Sequence, residues 1–133
     1  MAGDSTLAQP MRKSGIVFFA HGSRDPLWRK PIEAVAQLLQ HQHPNALSCC
    51  AYLELDTPDL HTACQSLIAQ GCGAITVLPM FLGTGRHARE DLPLLVAQLR
   101  HTFPHIPFEM ATAVGEDPRV TQLLATLAAE YIA

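Results

Sequence analysis

The chain has 133 residues, 48% of them apolar and 16% charged, which is the composition of one compact domain with an aliphatic core. Nine Lys and Arg against twelve Asp and Glu give a net charge of −3. That balance excludes the broad positive field of a nonspecific nucleic-acid binder and leaves any anionic partner to a local cluster.

Apolar runs such as Ile16 to Ala20 are far shorter than the roughly 20 residues of a membrane span, and too short for a secretory signal although Arg12 and Lys13 precede them. A cytoplasmic protein without a membrane partner is expected. Cys49, Cys50, Cys64 and Cys72 contain no C-x-x-C pair, so they read as buried free thiols rather than a zinc or iron–sulfur site.

Residues 1–14 lack periodicity and read as a flexible N-terminus, with a single domain over 15–133. Ile16 to Ala20 is a β-branched and aromatic run apolar on both faces, as a buried parallel strand requires. A helix starting between Pro26 and Pro31 follows, with Ile32, Val35, Ala36 and Leu39 on one stripe. Asp25 reads as its cap. Leu47 to Leu55 predicts a second strand, and Thr57-Pro58 a capping hydroxyl before a helix that carries Leu60, Ala63, Leu67 and Ile68 and closes at Gly71.

Ala74 to Leu78 predicts the third strand, followed by a loop from Pro79 to His87 and a helix whose regular turns start near Asp91, so that Pro93 falls in the first turn. Ile106 to Ala111 is a short fourth strand. Asp117-Pro118 opens a last helix with the cleanest stripe in the chain: Val120, Leu123, Leu124, Leu127, Ala128 and Tyr131. Four strands alternating with four helices predict an α/β fold: a parallel sheet of order 2-1-3-4 with helices on both faces, and a ligand site at the carboxyl ends of strands 1 and 3.

His21 ends the first strand, Glu54 ends the second and His87 lies after the third. Thirty-three residues separate each from the next, one βα unit apiece, so all three emerge at the same sheet edge. Two imidazoles and a carboxylate there suit a borderline metal such as cobalt, iron, nickel or zinc, or acid–base work. Glu54, flanked by Leu53 and Leu55, is a carboxylate in an apolar strand and needs a partner or an opening to water. Gly83, Thr84, Gly85 and Arg86 let the backbone approach a ligand and supply a cation, and Ser23 and Arg24 share the edge. Arg89 pairs equally well with a neighbouring carboxylate. His41, His43, His61, His101 and His105 fall at helix ends or strand entries, away from that edge.

His21-Gly22-Ser23-Arg24-Asp25-Pro26, Tyr52-Leu53-Glu54-Leu55 with Pro58, and the run from Leu78 through Gly83-Thr84-Gly85-Arg86-His87 to Pro93 resemble the sirohydrochlorin cobaltochelatases of the CbiX type, within the class II tetrapyrrole chelatases. The resemblance spans the chain from about Gly15 to the last helix and implies one chelatase-like lobe. It implies insertion of Co²⁺, or of Fe²⁺ or Ni²⁺ in related branches, into sirohydrochlorin without ATP and without a prosthetic group. His21 and His87 match the family's paired active-site histidines, and Glu54 its acidic residue. Long relatives fuse two such lobes, so by analogy this short chain is a homodimer with the cleft between two copies. A carrier using the same pocket without turnover is the non-enzymatic alternative. Histidine-dependent phosphoryl transfer is a second, although Ala20 stands where histidine phosphatases have Arg before His-Gly.

Overall fold

The computed structural model describes residues 13–132. The flexible terminus expected over 1–14 lies outside that range except for Lys13 and Ser14, which already belong to the first strand. In chain order the elements are β1 (Lys13–Ala20), α1 (Lys30–Gln42), β2 (Leu47–Tyr52), α2 (Leu60–Ala69), β3 (Cys72–Pro79), α3 (Arg86–Thr102), β4 (Phe108–Met110), a 3-10 turn (Val114–Glu116) and α4 (Pro118–Ala129). The four strands form one parallel sheet of order β2-β1-β3-β4. The expected topology is therefore present.

The core occupies one face of the sheet. Val17 and Phe19 on β1, Ala51 on β2 and Ile75 and Val77 on β3 meet Leu60, Ala63, Cys64 and Leu67 of α2 and Ala88, Leu92, Val96 and Leu99 of α3. Those helical positions recur at intervals of three and four, one stripe per helix. The opposite face is unequally covered. Over β2, Tyr52 meets Trp28 just ahead of α1 with ring centroids 6.4 Å apart, and Phe18 and Ala20 are buried. Over β3 the alternation is uneven: Ile75, Val77 and Pro79 are buried, whereas Ala74, Thr76 and Leu78 are only half-buried.

Several boundaries differ from the sequence reading. Strand β2 stops at Tyr52, three residues before Leu55, so Glu54 sits in an exposed bend rather than in an apolar strand and has water instead of a buried partner. Helix α3 begins at Arg86 and carries Pro93 in its interior, which places His87 on the helix. The stripe Leu92, Val96 and Leu99 fills the core continuously with Ala88, and this burial outweighs the one backbone bond that Pro93 cannot donate. Asp59, not Thr57, caps α2, accepting from the Thr62 N–H at 2.8 Å. Asp25 caps the turn before α1 through the Leu27 N–H at 2.9 Å, not the helix itself. Gly71, with φ +97°, follows the end of α2 as expected.

The largest difference concerns the terminal helix. Asp117 caps α4 as the sequence indicates, accepting from the Arg119 N–H at 2.9 Å. Yet every residue from Thr121 to Ile132 is exposed, and α4 packs mainly against the 3-10 turn that precedes it. Helix α1 likewise buries no residue completely.

Candidate active-site edge

The register explains why the chemistry collects at one edge. Phe19 pairs with Ala51 on one side and Pro79 on the other, so β1, β2 and β3 end at the same level. Backbone bonds extend this alignment beyond the strands. The Leu53 N–H reaches the Ala20 carbonyl at 2.9 Å, the Glu54 N–H the His21 carbonyl at 3.0 Å, and the Met80 N–H the Phe19 carbonyl at 2.7 Å. The bend that holds Glu54 is thus tied directly to His21.

Gly22 makes that tie possible. It has φ +99°, and a Cβ there would lie 1.8 Å from the Glu54 carbonyl oxygen. Only glycine tolerates both the conformation and the approach. Leu55, at φ 63°, is a non-glycine residue in the left-handed region, so the bend carries local backbone strain beside Glu54.

The His21 ring is exposed to solvent on one side and stacks on buried Phe81 on the other, with centroids 4.5 Å apart and planes inclined by 33°. Sequence reasoning assigned Phe81 no role; its signal was an aromatic residue inside the glycine-containing loop of an aromatic-poor chain. The loop is fastened from behind by the 3-10 turn. The Gly115 N–H donates to the Phe81 carbonyl at 2.9 Å, and a Cβ on Gly115 would lie 1.7 Å from the Leu82 carbonyl oxygen. Nothing in the sequence around Gly115 signals this contact.

His87 is exposed in the first turn of α3, after Gly85, an N-cap residue that supplies no side-chain acceptor. Arg86 pairs with Glu90 one turn on, at 3.1 Å and largely in water, an arrangement worth little and easily exchanged for another anion. Arg89 donates to the Thr84 carbonyl at 3.2 Å, which braces the loop. Thr84 Oγ1 is buried without a hydrogen-bond partner, and Thr84 lines a 360 Å³ groove with Arg89, Pro93, Met110 and Glu116. Gly83 and Gly85 are exposed with open space around them. Ser23 Oγ accepts from the Asp25 N–H at 3.1 Å, and Arg24 is exposed beside it.

His21, Glu54 and His87 therefore share an exposed edge, but they do not close into a metal-binding cage within one lobe. Among the described residues no three His, Cys, Asp or Glu side chains are grouped closely enough to hold an ion. Beneath Glu54, Asp56 accepts from both the Thr57 N–H at 2.8 Å and the Arg29 guanidinium at 3.1 Å, and these bonds hold its carboxyl below the usual carboxylate range. All four cysteines are free. Burial pushes the Cys64 thiol up to about 12 and the Cys50 thiol up to about 11, so neither is a nucleophile at neutral pH.

The chain as a whole is similar to known proteins. The chain is 28% identical to the sirohydrochlorin cobaltochelatase of Saccharolobus solfataricus over 116 residues, covering 83% of this chain and 89% of that one. It is 24% identical to the sirohydrochlorin ferrochelatase of Bacillus subtilis, but spans only 42% of that longer chain. The crystal structure of a CbiX protein from Marinobacter aquaeolei VT8 superposes with a TM-score of 0.77 at 31% identity, covering 90% of this chain and 97% of that one. The chelatase SirB from Bacillus subtilis subspecies spizizenii, solved with cobalt, has the same fold at a TM-score of 0.74, and the match covers half of its length. The CbiX family model matches residues 15–131, nearly the whole sheet-and-helix lobe, and the chain belongs to the CbiX family.

Proposed function

We propose that the chain inserts a divalent metal ion into sirohydrochlorin without ATP, with Co²⁺ as the expected substrate ion and Fe²⁺ or Ni²⁺ as further substrates. The observation that carries this reading is the delivery of two imidazoles, His21 and His87, to one exposed edge in a chain of the CbiX family. Metallation breaks two pyrrole N–H bonds, forms metal–nitrogen bonds and sheds the water bound to the ion. Imidazole as a residue type suits both demands: it can accept a proton and binds a borderline metal weakly enough to release it.

His21 and His87 act as the bases and transient ligands, and Glu54 assists at the same edge. Arg24 and Arg86, with Ser23 and the Gly83-Thr84-Gly85 backbone, face the carboxylates of the tetrapyrrole. They offset its charge locally although the chain carries −3 overall. Two copies enclose the macrocycle, each contributing one lobe, as the half-length match to SirB suggests. Four free thiols suit a cytoplasmic setting, where disulfides do not persist.

The test is a spectral assay of purified protein with sirohydrochlorin and each of the three ions. Acceleration over the spontaneous rate with at least one ion supports chelation; tight binding of the macrocycle without acceleration would identify a carrier instead.

A further inference from the structure

Leu55 is an exposed leucine held in the left-handed region of the backbone, at φ 63°. Its Cβ makes that conformation costly, whereas glycine or asparagine adopts it readily. The bend keeps it there by bonds on both sides. Ahead of it the Glu54 N–H donates to the His21 carbonyl at 3.0 Å. Behind it the Asp56 carboxylate accepts from the Thr57 N–H at 2.8 Å and from the Arg29 guanidinium at 3.1 Å, and the Tyr52 N–H donates to the Pro58 carbonyl at 2.9 Å. Strain of this kind persists only where the surroundings over-determine it. The core gains nothing from the strained side chain, which is 52% exposed and lies outside it.

Leu55 is not alone at this edge. Leu53, on the other side of Glu54, is 37% exposed, and Leu82 is 69% exposed. Leu82 directly follows Phe81, whose ring stacks on His21, and its carbonyl lies where a Cβ on Gly115 would be. Single leucines scattered over a surface need no explanation, but three of them set by a braced backbone beside His21 and Glu54 make an apolar rim to a polar site.

The chemistry of metallation says what such a rim would touch. A tetrapyrrole is apolar on both faces and carries its carboxylates around the periphery. Its nitrogens lie at the centre and are reached only from a face. An imidazole that takes a pyrrole proton therefore brings the side chains beside it against an apolar surface, in keeping with sites that set a few polar groups among apolar walls.

We infer that Leu55 and Leu82 bind the face of the substrate macrocycle. One comes from the bend after β2 and the other from the loop after β3, and His21 stands between them at the end of β1. This deepens the reading that the chain metallates sirohydrochlorin and rests on it.

The test is binding of metal-free sirohydrochlorin to the full chain, read by quenching of Trp28, the only tryptophan, beside denaturant unfolding and insertion kinetics. Leu55→Asn and Leu55→Gly relieve the strain, so both should unfold at no lower denaturant than the unmodified chain. They should nevertheless bind about ten-fold more weakly, the scale of losing half a leucine side chain from an apolar contact. KM should rise with kcat little changed, the pattern of lost uniform binding. Leu55→Met should bind nearly normally, and Leu82→Ser should weaken binding as Leu55→Asn does. Binding by Leu55→Asn and Leu55→Gly equal to that of the unmodified chain, or weakened only in proportion to lost stability, would overturn the inference. Insertion by a chain whose binding ignores Leu55 would remove this inference alone. Leu55-dependent binding without insertion would remove the catalytic reading alone, and an unmodified chain that binds no macrocycle would remove both.

Discussion

The rings of His21 and Phe81 lie 4.5 Å apart. This contact joins the end of β1 to the loop after β3, and so fixes one imidazole of the proposed site against the element that leads to the other. In the proposed reaction Phe81 is a positioning residue. Replacing it by Leu keeps most of the buried volume and should cost about 1 kcal/mol of stability. The insertion rate should nevertheless fall several-fold, with substrate KM little changed. Thermal unfolding and steady-state kinetics measured side by side separate the two effects.

Gly22→Ala should be costlier. An L-residue at φ +99° is disfavoured by about 1–2 kcal/mol, and its Cβ would collide with the Glu54 carbonyl. The bend must then move away from His21, and metal insertion should fall beyond what the loss of stability explains. Gly71→Ala is the control: it shares the positive φ of +97° but no atom lies within reach of a Cβ there, so it should cost stability and leave insertion by the folded protein unchanged. Denaturant unfolding together with the insertion assay checks both variants.

How far the sequence led depends on the kind of signal. The strand order was legible because β-branched runs alternate with helical stripes and right-handed crossovers leave few topologies. The shared edge of His21, Glu54 and His87 followed from the same alternation. Periodicity shows that a helix has an apolar face but not what covers it, so the stripe Val120 to Tyr131 carried no sign that α4 stays exposed from Thr121 onward. Proline rules placed the start of α3 five residues late, because the burial of Ala88, Leu92 and Val96 overrides the defect at Pro93. Gly22 and Gly115 act through carbonyl oxygens of distant segments, which no local pattern encodes.

Acid should release α4 early. The Arg119 guanidinium, together with its N–H, holds the Asp117 carboxyl down to about 2, below its value of about 3.9 in an unfolded chain. The cap is therefore fully present above about pH 4 and is lost as pH falls through about 2. Far-UV circular dichroism should show a loss of helix over that window, and Asp117→Asn should reduce it. An acid transition identical in the two proteins would exclude this carboxylate as its source.

Thiol reagents should be slow to reach Cys64. Burial holds the Cys64 thiol near 12, so at pH 8 only about one molecule in ten thousand carries its thiolate. Alkylation of Cys64 should be slow in native buffer and become rapid in denaturant. Mass spectrometry of the native and unfolded chain resolves the difference.

The most direct measurement is the rate of Co²⁺ insertion into sirohydrochlorin by the full chain, by His21→Ala and by His87→Ala, followed by absorbance at matched protein concentration. The expected result is clear acceleration by the unmodified chain and a loss of about a hundred-fold or more in each variant, the scale of a missing general base. No acceleration with Co²⁺, Fe²⁺ or Ni²⁺, or full activity in both histidine variants, would contradict it.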